Sequence, residues 1–135
     1  MGERVILSVE DDDGAFHLLK VAFQETEPDV HLIRACDGVE ALSFLSRADG
    51  YQNAPRPDLV LLNINLPKKN GLEVLAEMAA SESLRSIPVV VFTSSSLRAE
   101  KARCMALGAQ EFLTKPSDFD GLLDAVKSAC ARAGG

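Results

Sequence analysis

The segment Pro57-Asp58-Leu59-Val60-Leu61-Leu62-Asn63 holds four consecutive aliphatic residues that are followed directly by a polar amide. A short, uninterrupted apolar run bounded by proline is typical of a strand that is buried on both faces. Such strands occur mainly in parallel sheets that are covered by helices on both sides. The run therefore predicts the central strand of an α/β fold, with Asn63 at the carboxyl end of that strand.

Working outward from this strand, short apolar runs alternate with segments of helical period. Four further strands are predicted over Val5–Val9, Val30–Ala35, Val89–Phe92 and Glu111–Thr114. Helices are predicted over 15–23, 38–47, 72–80, 99–107 and 119–131, where apolar residues recur at spacings of three and four. In the first two helices the predicted inward residues are Ala15, Phe16, Leu18, Leu19, Ala22 and Phe23, then Val39, Leu42, Phe44 and Leu45. Ala48–Pro57 has the composition of a loop, and Thr93–Ser96 that of a turn.

Five strands, each followed by a helix, predict an open parallel sheet with helices on both faces. We expect a flavodoxin-like (βα)5 three-layer sandwich with strand order 2-1-3-4-5, which is the common solution at this size. The 135 residues fit one domain, and we expect a single domain over 1–135 without an attached output domain.

The composition excludes several classes of function. The net charge of −6 argues against nucleic acid as a partner, because phosphate binding needs clustered Lys and Arg. No apolar run approaches the roughly 20 residues that span a bilayer, and no secretory signal is present, so a cytoplasmic protein away from the membrane is expected. Cys36, Cys104 and Cys130 are scattered without CxxC spacing, which favours reduced thiols used as small apolar residues.

Polar residues stand at the carboxyl ends of four of the predicted strands. In chain order they are Glu10 and Asp11, Asn63 and Asn65, Thr93 and Ser94, and Lys115. Each has an ordinary explanation alone, as a solvated loop residue, a helix cap or a surface charge. Together they place carboxylates, amides, hydroxyls and an ammonium where ligands bind in such sheets. That set suits a hard divalent cation, which prefers oxygen ligands, together with a phosphoryl group.

Four motifs, in order and at the proper spacing, make the chain resemble the receiver domains of bacterial response regulators. They are Val9-Glu10-Asp11-Asp12, Pro57 to Pro67, Pro88-Val89-Val90-Val91-Phe92-Thr93 and Phe112-Leu113-Thr114-Lys115-Pro116. The resemblance implies that Glu10 and Asp11 hold Mg²⁺, with the backbone carbonyl of Asn65 as a further ligand. It implies that Thr93 and Lys115 bind the phosphoryl group, and that Phe112 is a switch aromatic coupled to Thr93. It also implies a cis peptide bond between Lys115 and Pro116, and no enzymatic turnover of the protein's own.

A narrower resemblance concerns two loops. Leu66-Pro67-Lys68-Lys69-Asn70-Gly71 and the extended loop from Tyr51 to Pro57 look most like stand-alone regulators that are paired with bacterial phytochromes. The resemblance implies a sensor histidine kinase as partner. For a regulator without an output domain, a homodimer through the face around the fourth and fifth strands is also expected.

The chain departs from the family at Asn63, where receivers carry the aspartate that accepts the phosphoryl group. A carboxamide is a poor nucleophile, so this chain is expected not to be phosphorylated there. It also removes one negative charge from the metal site, which weakens Mg²⁺ binding. Asn63 is either an engineered or recently lost acceptor, or the mark of a natural pseudo-receiver. The retained Glu10, Asp11, Thr93 and Lys115 favour the first interpretation.

Two other classes of function compete with a signalling receiver. One is a binding or adaptor module that uses the same face independently of phosphate. The other is an enzyme or flavin carrier on a flavodoxin-like sheet. The acidic loop after the first strand would repel the phosphate of a nucleotide or flavin, and no GxxxxGK[ST] or GxGxxG motif is present.

Overall fold

The computed structural model describes residues 4–48, 50–94 and 97–133. Within these ranges strands and helices alternate along the chain as the sequence predicts. The strands are β1 Arg4–Val9, β2 Val30–Ala35, β3 Leu59–Leu62, β4 Val89–Thr93 and β5 Glu111–Thr114. The helices are α1 Asp13–Thr26, α2 Gly38–Ser46, α3 Gly71–Ala80, α4 Arg98–Ala106 and α5 Phe119–Cys130. Asp49 in the predicted loop, and Ser95 and Ser96 in the predicted turn, lie outside the described residues.

All four strand pairings are parallel, and the strand order is β2-β1-β3-β4-β5. The flavodoxin-like order is therefore confirmed. Val9 is in register with both Leu62 of β3 and Ala35 of β2, and Leu62 with Val91 of β4. Because these strands end at nearly the same level, the residues that follow them meet at one edge of the sheet. This edge carries the candidate site.

The sheet separates two apolar clusters. Alternating strand residues such as Leu7, Val60 and Leu62 pack with α2 and α3 on one face, while Ile6, Leu59 and Leu61 pack with α1 and α5 on the other. β3 is buried along its whole length, as its four aliphatic residues predict. A central strand that is buried on both faces fixes the position of Asn63 within the interior.

Two residues that were predicted to point inward are exposed. Leu18 of α1 is 52% exposed and Val39 of α2 is 47% exposed, so both assignments were wrong. A helix that lies on a sheet buries only one stripe, and in α1 that stripe is Leu19, Ala22 and Phe23. In α2, Gly38 takes the innermost place at the helix start. A Cβ there would stand 1.9 Å from the carbonyl oxygen of Lys69.

The extended loop between α2 and β3 is anchored at several points. The Tyr51 hydroxyl donates a hydrogen bond to Glu40 Oε2 at 3.0 Å, and its ring meets that of Phe44 edge-on at 5.6 Å. This hydrogen bond raises the pKa of Tyr51 above its ordinary value, with burial and the Glu40 charge adding to it. Arg56 donates to the carbonyl oxygen of Ser83 at 2.7 Å. The loop is thereby tied both to α2 and to the segment before β4.

The cysteines are all free thiols, and two of the three are buried as expected. Cys104 and Cys130 belong to the two apolar clusters, whereas Cys36 is exposed. Burial raises the pKa of Cys104, and it raises that of Cys130 to about 11. Both buried thiols are therefore protonated at neutral pH and serve as packing groups. No helix in the described part of the chain is long and apolar enough to cross a membrane.

Candidate functional site

Glu10, directly after β1, is the centre of the site. Its backbone N–H donates to the carbonyl oxygen of Ala35 at 2.9 Å, and the residue is only 5% exposed. One carboxylate oxygen accepts a hydrogen bond from the Lys115 ammonium. The other accepts from Asn63 Nδ2 and from the backbone N–H of Asp12, both at 3.2 Å. A buried carboxylate is costly unless its charge and lone pairs are satisfied, and here they are.

Asn63 is held firmly by the backbone around it. Its N–H donates to the carbonyl oxygen of Val9 at 3.2 Å, and the residue is 8% exposed. The first residue of α3, Gly71, packs closely against the Asn63 backbone. A Cβ at Gly71 would lie 2.3 Å from the carbonyl oxygen of Asn63. The carboxamide meets Glu10 through its NH₂ group, a donor that an ionised aspartate does not have. The observed contact with Glu10 therefore depends on asparagine at this position.

Thr93 and Lys115 come from neighbouring strands and are joined through the backbone. Thr93 is fully buried at the end of β4, and its carbonyl oxygen accepts a hydrogen bond from the N–H of Lys115 at 2.7 Å. Phe112 is in register with Val91 of β4 and packs, partly buried, against the cluster on the α2 and α3 side. Thr93 and Phe112 thus lie on paired strands, β4 and β5.

The expected cis bond between Lys115 and Pro116 is not found. The described residues contain no cis peptide bond, so this prediction is wrong for the structure. The trans isomer of an X–Pro bond is intrinsically favoured by about 0.5–1 kcal/mol. It is compatible here with both contacts of Lys115, to the Thr93 carbonyl and to Glu10.

The residues at this edge fit a hard divalent cation in their chemistry. Glu10 and Asp11 supply carboxylate oxygens, Asn63 an amide oxygen and Asn65 a backbone carbonyl. Asp11 and Asn65 are exposed beside the buried Glu10. No group of three Asp, Glu, His or Cys side chains that could hold a metal ion is found in ranges 4–48, 50–94 and 97–133. With asparagine at 63 the expected ligands include two carboxylates, Glu10 and Asp11, and the carboxylate of Glu10 is already paired with Lys115.

One residue at the site was missed by reasoning from the sequence. Arg34, in β2, donates through Nε to the carbonyl oxygen of Glu10 at 3.0 Å and pairs through Nη1 with Asp13 Oδ1 at 2.8 Å. Partial burial alone would lower the pKa of Arg34, but Asp13, Cys36 and Glu10 outweigh it and the pKa is raised. The expected strand order could have indicated this contact. If β2 lies beside β1, an arginine one residue before the end of β2 lies close to the start of the acidic loop.

A parallel five-stranded α/β sheet that brings an acidic pair, a buried threonine and a lysine to its carboxyl edge defines the class of phosphotransfer receivers. The family model described as "Response regulator receiver domain" matches residues 6–127. The chain therefore belongs to the response regulator receiver family.

The similar proteins are response regulators, and one of them is a cyanobacterial phytochrome response regulator. The chain is 39% identical over 124 residues to "Response regulator Rcp1" of Synechocystis, covering 92% of this chain and 84% of that protein. It is similar to the phosphorylated cyanobacterial phytochrome response regulator RcpA, with a TM-score of 0.89 and 35% identity, covering 94% of this chain and 91% of that one. The Mn²⁺-bound form of Rcp1 follows with a TM-score of 0.85 and 38% identity, covering 93% and 90%.

The hydrogen bond between Asn63 and Glu10 makes the stability of the metal-free protein sensitive to residue 63. Asn63→Asp removes the donor and sets a second carboxylate against a buried one. In EDTA we expect the free energy of unfolding to fall by about 1.5–3 kcal/mol, the range for a buried hydrogen bond to a charged group. Urea denaturation followed by circular dichroism measures this difference.

Mg²⁺ should restore part of that loss, because it binds the folded variant and neutralises the added charge. The chain with Asn63 should respond little to Mg²⁺. Asn53→Asp is the matched control, since it makes the same change at an exposed amide in the loop before β3. If Asn63→Asp were as stable in EDTA as that control, the contact with Glu10 would contribute nothing to folding.

Proposed function

We propose that this chain is a stand-alone response regulator that works with a sensor histidine kinase, and that Asn63 occupies its phosphoacceptor position. The observation that supports this most directly is the contact of Asn63 with Glu10 of the acidic pair and, through Glu10, with Lys115. The chain covers 84% of the length of Rcp1, so the likeness extends over most of that relative. The proposed location is the cytoplasm, which suits three free thiols.

In the proposed reaction a carboxylate at position 63 attacks the phosphorus of a phosphohistidine. The new O–P bond forms as the P–N bond breaks, and the imidazole leaves and takes up a proton. Lys115 would leave Glu10 to pair with the phosphoryl oxygens, and Thr93 would donate a hydrogen bond to them. Mg²⁺, held by Glu10, Asp11 and the Asn65 carbonyl, would neutralise part of the developing charge.

Asparagine stops this reaction at its first step. The carboxamide nitrogen and oxygen are poor nucleophiles, so no acyl phosphate forms at Asn63. Lys115 and Asn63 together occupy both oxygens of Glu10. Mg²⁺ would compete with these donors for the carboxylate, so we propose that it binds more weakly here than in a receiver with aspartate.

We propose further that Asn63 is an engineered or recently lost acceptor. Glu10, Asp11, Thr93 and Lys115 all remain at the edge of the sheet, although a site freed from phosphoryl chemistry has no need of all four. A second candidate is a natural pseudo-receiver that acts as a phosphate-independent adaptor. The satisfied network around Glu10 favours this alternative, because the site is complete without metal or phosphate.

The proposed partner is a phytochrome-type histidine kinase. Support comes from the likeness to the phytochrome response regulator RcpA and from the loops at 51–57 and 66–71, which resemble those of phytochrome-associated regulators. A homodimer through the face around β4 and β5 is also proposed. Leu97 and Met105, on the α4 side of this face, are 63% and 42% exposed and offer apolar contact area.

Acetyl phosphate distinguishes a locked receiver from one that has lost more than its acceptor. Each protein is incubated with Mg²⁺ and acetyl phosphate, and its intact mass is measured. The chain with Asn63 should gain no adduct, while Asn63→Asp should gain a labile group of about 80 Da. The double variant Asn63→Asp with Lys115→Ala should be phosphorylated far more slowly. No adduct on Asn63→Asp would move the adaptor interpretation to first place.

Thr93 and Phe112 are proposed to carry the signal from the site to the face around β4 and β5. In the Asn63→Asp background, phosphodonor should shift the backbone amide NMR signals of residues 109–114 by changing the balance between two arrangements of this face. Thr93→Ala should abolish most of that shift. Thr26→Ala is the matched control, because its hydroxyl bonds the Ala22 carbonyl far along α1. An unchanged response in Thr93→Ala would exclude this coupling.

A further inference from the structure

Arg34 makes three contacts with the acidic loop between β1 and α1. Nε donates to the carbonyl oxygen of Glu10 at 3.0 Å, and Nη1 lies 2.8 Å from Asp13 Oδ1. The guanidinium carbon stands 5.2 Å from the centre of the Phe16 ring. These contacts reach the residue directly after β1, the first residue of α1 and the first turn of that helix. Arg34 therefore spans the outer side of the loop.

The inner side of the same loop is held by Glu10. Its carboxylate accepts the Asp12 N–H at 3.2 Å, and Asp12 in turn caps α1 by accepting from the N–H of Ala15 at 2.7 Å. Asp11 lies exposed between these fixed points. The backbone on one side of Asp11 is bonded to Arg34, through the Glu10 carbonyl, and the backbone on the other side is bonded to the Glu10 carboxylate, through the Asp12 N–H.

We infer that Arg34 is a positioning residue that holds the backbone of the acidic loop so that Glu10 and Asp11 can bind a divalent cation together. The inference rests on the proposed function, because it assigns the acidic pair to that cation. Arg34 itself touches neither cation nor phosphoryl group. Residues that orient metal ligands in this indirect way commonly change affinity by about 10-fold or more when they are replaced.

A simple surface ion pair does not account for the geometry. Asp13 is 94% exposed at its side chain, and solvent screens such a pair strongly. The bond from Nε to a backbone carbonyl and the stacking on Phe16 use the planar guanidinium, which lysine cannot reproduce. Lysine would keep the charge near Asp13 and lose the other two contacts.

Electrostatics and positioning predict opposite signs for cation affinity. Removing a positive charge beside the acidic loop should strengthen the binding of a divalent cation if Arg34 acts through its charge alone. Releasing the backbone of the loop should weaken binding if Arg34 acts by positioning. The direction of the change therefore separates the two explanations.

The experiment titrates Mn²⁺ against the full chain carrying Asn63→Asp and counts free Mn²⁺ by electron paramagnetic resonance. Arg34→Ala should weaken binding by about 10-fold, and Arg34→Lys should recover less than half of that loss on a logarithmic scale. Arg4→Ala is the matched control. Arg4 Nη2 pairs with Glu27 at 3.3 Å at the opposite end of the same strand pair. The Mn²⁺ affinity of the Arg4→Ala variant should therefore be unchanged. Unchanged or tighter binding in Arg34→Ala, or full recovery in Arg34→Lys, would overturn the inference.

A second measurement needs no metal and decides the inference if no variant binds Mn²⁺. Amide hydrogen exchange of Asp12 in the metal-free chain reports whether the loop is held, because this N–H bonds to Glu10. Arg34→Ala should speed that exchange about 10-fold while Arg4→Ala leaves it unchanged. Equal exchange in both would refute the positioning role. Absence of Mn²⁺ binding in every form, including Asn63→Asp alone, would instead count against the proposed function.

Discussion

The buried carboxylate of Glu10 is the constraint on which the rest of the site depends. An ionised group at 5% exposure is stable only if its charge and its hydrogen-bonding oxygens are matched by nearby donors. Lys115 matches the charge, and Asn63 and the Asp12 N–H complete the remaining bonds. Three loops, after β1, β3 and β5, are joined through this one group. The site consequently also stabilises the fold, because it holds these three loops together.

The same network explains why the choice between asparagine and aspartate at residue 63 affects the bonding of the whole site. Aspartate and asparagine have nearly the same size, yet only asparagine donates a hydrogen bond to Glu10. With asparagine the edge of the sheet is satisfied by protein atoms alone. With aspartate two carboxylates face each other, and a cation or a rearranged lysine is needed between them. In the proposed function, residue 63 would thus set both the nucleophile and the dependence of the site on metal.

The sequence predicted the fold well because strand and helix signals were strong and local. Aliphatic runs such as Leu59–Leu62 have no alternative to burial, and the polar residues at the ends of such strands, Glu10, Asn63, Thr93 and Lys115, are therefore predictable as neighbours at one edge of the sheet. The sequence could not reveal which donor each oxygen of Glu10 would accept. That outcome depends on differences of a few tenths of an ångström in the positions of separate loops.

The misplaced residues share a physical reason. Leu18 and Val39 are apolar and follow helical spacing, but the width of the buried stripe is set by how each helix lies on the sheet. The isomer of the bond before Pro116 depends on a small energy difference that tertiary contacts decide. No sequence motif marks Arg34, because its contacts arise from the pairing of β2 with β1. Each of these features is fixed by tertiary packing.

The most direct test of this account is the solvent exchange of the side-chain amide protons of Asn63, measured by NMR in the metal-free chain. The account predicts that at least one proton of Asn63 Nδ2 exchanges more slowly than those of the exposed Asn53 and Asn65, and that Glu10→Met, which has no acceptor oxygen, removes this protection. Exchange as fast as that of the two exposed amides, or protection that survives Glu10→Met, would contradict the claim that Asn63 completes the bonding of the buried carboxylate.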